Sequence, residues 1–60
     1  MNKVFVVSIT CDNAAFEENC EAEIARILAR IRFDIVEGKT EGIVRDANGN
    51  IVGNYFYKNK

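Results

Sequence analysis

The spacing of apolar residues divides the chain into four stretches. Residues 3–10, KVFVVSIT, are dense in Val, Ile and Phe, which predicts a strand. Phe5, Val7 and Ile9 share one face of it, and Val4, Val6 and Ser8 the other. Both faces are largely apolar, so this strand is expected at the centre of its sheet. Over residues 20–37 the period changes to that of a helix. Ile24, Ile27, Leu28, Ile31 and Ile35 fall within one stripe at about 100° per residue, which predicts an amphipathic helix laid on a sheet by that stripe. Asn19 is placed to cap its start, Glu21 and Glu23 lie in its first turn, and Gly38 follows its end.

Residues 40–45 and 50–58 return to strand character. Between them Asp46-Ala47-Asn48-Gly49 has the residues of a type I turn followed by a left-handed glycine, so the two strands form a hairpin. Gly53 inside the last strand marks a bulge or a close approach. Before the helix, residues 11–19 fit a single helical turn capped by Asp12 or Asn13, with Phe16 tucked onto the core. The order βαββ predicts one α+β domain over residues 1–60. It would hold a three-stranded sheet with one helix packed on one face. The helix permits a parallel crossover between the first two strands, and the hairpin is antiparallel.

The helix carries a second line that a small sheet cannot also cover. Ala22, Ala25, Ala29, Phe33 and Val36 run along it, with Phe33 nearly opposite Ile24. Alanines permit close helix approach, and Phe33 with Val36 add apolar area. This line is the expected interface of a homodimer formed by an antiparallel pair of helices about a two-fold axis.

Size makes such a partner useful. A chain of sixty residues buries only about 60% of the surface its unfolded form exposes. Small domains compensate with disulfides, a metal or another chain. Cys11 and Cys20 are the only cysteines and there is no histidine, so a structural zinc site is not expected and free thiols are. The hydrophobic fraction of 48% and charged fraction of 28% belong to a folded domain rather than a disordered tail. A net charge of -1 argues against a broad electrostatic grip on nucleic acid. No apolar run is long enough for a membrane span, and the first ten residues do not read as a signal peptide, so the cytoplasm is the expected location.

Chemistry is sparse. Without histidine the commonest general base is missing, and Ser8 has no evident activating base. Glu17, Glu18, Glu21 and Glu23 read as charges favourable to a helix start. Cys20 sits where a thiol can be activated, but the neighbouring glutamates oppose ionisation. Asp46, Asn48 and Asn50 alternate as in a calcium loop, yet Ile51 and Tyr57 stand where that loop needs its glycine and final carboxylate. No enzyme activity and no cofactor are expected. Arg26 and Arg30, one turn apart, with Tyr55 and Tyr57, are the candidate contacts for a partner or for nucleic acid. Arg45, Phe56, Lys58 and Lys60 could extend such a patch.

DNAAF at 12–16, EIARIL at 23–28 and RDANGNIVG at 45–53 resemble segments of a group of short phage- and prophage-encoded proteins, over most of the chain. The shared motifs are structural, so no functional residues carry over. Phe33 and Val36 depart from the group, whose helix stays polar near its end. The resemblance implies a non-catalytic module that binds and inhibits a bacterial host or defence protein, as a homodimer that occludes its partner's site. The alternative is a small nucleic-acid-binding accessory protein using Arg26, Arg30, Lys58 and Lys60.

Overall fold

The computed structural model of the chain describes residues 3–59. In order they form strand β1 (Lys3–Ile9), one turn of 3-10 helix (Ala14–Phe16), helix α1 (Cys20–Val36), strand β2 (Glu41–Arg45) and strand β3 (Ile51–Asn59). This is the expected α+β arrangement, one helix packing on a three-stranded sheet.

Local rules set the ends of α1. The Asn19 side chain accepts the Ala22 N–H at 2.9 Å, a cap that stabilises a helix by about 1 kcal/mol. At the other end Gly38 takes φ +91°, the Gly38 N–H bonds to Ile35 O and the Lys39 N–H to Asp34 O. That pair of bonds is a Schellman motif, which requires the left-handed residue glycine supplies. The hairpin turn follows its sequence just as closely: Gly49 has φ +87° and donates its N–H to Asp46 O at 3.0 Å.

The sheet order is β1-β3-β2, with both pairings antiparallel. The first strand is therefore an edge, not the centre as its two apolar faces suggested. β3 takes the centre, pairing Lys3 to Ile9 of β1 on one side and Glu41 to Arg45 of β2 on the other. The crossover through α1 still carries β1 and β2 in the same direction, but β3 lies between them, so no two neighbouring strands are parallel. Gly53 meets both expectations at once. A register shift lies beside it, between Val44 and Arg45, and a Cβ on Gly53 would collide with the Ser8 carbonyl.

The core is built from Phe16, Ile27, Ile31, Val44, Val52 and Tyr55. Phe5, Val7 and Ile9 pack against it from β1. The buried helix stripe is displaced from the predicted one. Leu28 is 46% exposed and Ile35 40%, while Glu23 and Asp34 are buried. Relative to the Ile/Leu stripe, α1 is turned by roughly half the 100° step between residues. The cause is polar: partners near β2 hold Glu23 and Asp34 and draw that flank of the helix down.

Candidate interaction surface

Those polar contacts tie α1 to the hairpin. Glu23 accepts from Arg26 Nε at 3.0 Å and Nη2 at 2.8 Å, and from the Ala47 N–H at 2.8 Å. Arg26 also donates to Arg45 O at 3.3 Å. Asp46, buried in the turn, accepts the N–H groups of Asn48 and Asn50 at 2.9 Å each and the Asn13 side-chain amide at 3.0 Å. The Arg26 guanidinium holds the Glu23 carboxyl below its ordinary range, against the opposing effect of burial, with help from Ala47. At Asp46 burial opposes ionisation, yet the donors on Asn13, Asn50 and Asn48 bring its carboxyl below the ordinary value. Asn13 thus spends its side chain on Asp46 and makes no cap bond to the 3-10 turn. Of the calcium-like alternation, Asp46 spends its carboxylate on the loop's own amides. The segments DNAAF, EIARIL and RDANGNIVG all meet at this knot.

A cleft of about 590 Å³ lies between α1 and β2. Its floor includes Ile31, Gly42 and Tyr55, and Arg26, Arg30 and Lys39 stand on its rim. The Tyr55 hydroxyl donates to Asp34 Oδ2 at 2.8 Å, and burial followed by that bond pushes the phenol up. Arg30 Nε and Lys39 Nζ lie 3.5 and 3.8 Å from Asp34 Oδ1. Gly42 is required here because a Cβ would sit 2.7 Å from the Tyr55 hydroxyl.

This geometry removes Tyr55 from the expected partner patch. Tyr55 is 1% exposed and cannot touch a partner or stack on a base. A tyrosine in a strand reads as either core or surface until its hydroxyl partner is known, and Asp34 is 21 residues away. Arg26 remains at the surface but is engaged by Glu23. Arg30 is exposed, with its guanidinium 5.8 Å from the centre of the Phe33 ring. Tyr57 is partly exposed against Phe5, with Lys3 Nζ 4.8 Å above its ring. Lys60 lies outside the described residues.

The outer line of α1 is placed where its spacing puts it. Ala22, Ala25 and Ala29 are exposed, Phe33 is 55% exposed and Val36 71%. Two further apolar areas escaped the sequence reading. Leu28 and Ile35 lie on the flank of α1 away from β2. The face of the sheet opposite the helix is also uncovered. Since Phe5, Val7 and Ile9 face the core, alternation turns Val4 and Val6 outward, and the register sets Phe56 beside Val6. Ile43 and Ile51 are exposed. The signal for this face was present in the doubly apolar pattern of β1, but it also fits a buried central strand.

Cys11 and Cys20 are free thiols, both half-buried. Burial pushes the Cys20 thiol up, and Cys11 and Glu21 act in the same direction, the opposite of nucleophile activation. Among the described residues no cluster of three or more His, Cys, Asp or Glu side chains is placed to hold a metal ion. No described helix is long and apolar enough to cross a membrane.

No family model, no curated protein and no solved structure matches the chain.

Proposed function

We propose that the chain is a non-catalytic protein-interaction module that pairs with a second copy through the outer face of α1. The observation that carries this reading is the exposure of Phe33 and Val36 beside three alanines, on the side of the helix turned away from the sheet. Covering Phe33 and Val36 in both copies contributes on the order of several kcal/mol before the costs of association. That is a large fraction of the stability of a domain this small.

The biological role that accompanies this reading is occlusion of a bacterial host or defence protein in the host cytoplasm. It rests on the resemblance to short phage proteins. The nucleic-acid alternative has less behind it, because Tyr55 is buried and Arg26 is occupied.

Light scattering or sedimentation of the wild-type chain and of Phe33→Asp tests the pairing. The substitution is expected to lower the mass of the assembly, with the far-ultraviolet circular dichroism retained. An assembly mass that Phe33→Asp leaves unchanged, or a wild-type monomer at high micromolar concentration, overturns it.

A further inference from the structure

We infer that β1 is a second self-association surface, at which two copies join edge to edge into one continuous six-stranded sheet. This stands independently of the pairing at the outer face of α1 and uses none of the same residues.

The two sheet edges differ. β2 has five residues, carries Glu41 and Arg45, and is disturbed by the register shift between Val44 and Arg45. Charges, shortness and bulges are the features that keep an edge from pairing. β1 has seven residues, KVFVVSI, whose only charge is Lys3, and it is paired in unbroken register from Lys3 to Ile9. Its free side can be identified. The Thr10 N–H bonds to Val52 O, so the even-numbered residues of this strand turn their backbone groups toward β3. Lys3, Phe5, Val7 and Ile9 turn theirs outward. In agreement, the Ile9 carbonyl accepts the Cys11 thiol rather than a ladder N–H.

One register satisfies this edge completely. An antiparallel copy centred on Val6 opposes Lys3 to Ile9 and Phe5 to Val7, so every outward N–H and C=O from Lys3 to Ile9 meets its complement. Val6 then faces Val6 of the second copy on the open face of the sheet. The two Lys3 side chains are held at opposite ends, so like charges do not meet.

The helix layer fits the same axis. Glu23, Arg26 and Asp34 hold one flank of α1 toward β2 and the hairpin. The opposite flank, which bears Leu28 and Ile35, therefore overhangs β1. Both are substantially exposed, and Phe5, Val7 and Ile9 beneath are only half-buried. A two-fold axis perpendicular to the sheet at Val6 places both helices on one face and brings these flanks toward each other. The joint would be about 24 Å long and about 20 Å deep through sheet and helix, roughly 1,000 Å² summed over both copies, the lower bound for a specific interface. It also leaves the outer faces of both helices on one side, free for a second such pair to stack against them. Both contacts together close at four chains with 222 symmetry where their two axes intersect at right angles, and the β1 contact alone closes at two.

Disabling the helix contact isolates this joint. In the Phe33→Asp chain, light scattering is expected to report twice the chain mass, and adding Val6→Glu, which sets two carboxylates face to face at the axis, is expected to halve it. A cross-link guards against misfolding. With Cys11→Ser and Cys20→Ser in place, Val6→Cys is expected to give a covalent dimer on treatment with oxidised glutathione, which is reduced as the disulfide forms. Ser8→Cys, opposed to Val4 in this register, is expected to give little. A Phe33→Asp chain that is monomeric at several hundred micromolar, a dimer that Val6→Glu leaves intact, or equal cross-linking at positions 6 and 8 overturns the inference. The wild-type mass against that of Phe33→Asp reports the α1 contact separately.

Discussion

Gly53 shows how much of this structure depends on single atoms. The β1 backbone passes so close that a methyl group there collides with the Ser8 carbonyl, whereas Gly38 and Gly49 have open space around them. Gly53→Ala is therefore expected to cost about 2–3 kcal/mol, in the upper range of overpacking, and Gly38→Ala about 1 kcal/mol from its left-handed backbone alone. Urea unfolding of the two variants checks that order, and equal midpoints would refute the close approach. The glycines, the Asn19 cap and the burial of Phe16 were legible in the sequence because each obeys a rule confined to a few neighbours. Glu23, Asp34 and Tyr55 were not. A carboxylate within a helix reads as solvated until its partner is known, and the Ala47 N–H lies 24 residues from Glu23.

At the scale of elements, periodicity located every strand and the helix but neither the sheet order nor the rotation of α1. Alternation shows which residues share a face and is silent on how many neighbours a strand has. β1, apolar on both faces, looks central, while β3, with Gly53, Asn54 and Lys58, looks like a margin. The outer line of α1 is exposed because it lies opposite the sheet, where a modest rotation leaves it at the surface. Leu28 and Ile35 lie on the flank, where the same rotation decides their burial. The tie between α1 and the hairpin sets that rotation, so Glu23→Gln is expected to lower the thermal midpoint and to loosen the turn. Nuclear magnetic resonance would register this as a shift of the Ala47 amide, and an unmoved Ala47 would argue against the tie.

For the whole molecule, the buried carboxylates give stability a definite pH dependence. Glu23 and Asp46 have folded values below their ordinary ones of 4.5 and 3.8. The stability they contribute is complete above the unfolded values and is lost as pH falls through them toward the lower folded ones. Tyr55 acts at the other extreme: its folded value lies above the ordinary 10.0, so its contribution holds below that pH and fades above it. Urea midpoints at pH 7 and pH 3 are expected to differ, with a smaller gap in Glu23→Gln. A gap of equal size would remove Glu23 from the account.

A hairpin tip is ordinarily the first place where solvent deuterium enters and a protease finds slack. Here the Ala47, Asn48, Gly49 and Asn50 amides are all donated, to the Glu23 carboxylate, the Asp46 carboxylate or the Asp46 carbonyl. Exchange at this tip is expected to be as slow as in the neighbouring strands, and the loop to resist nicking.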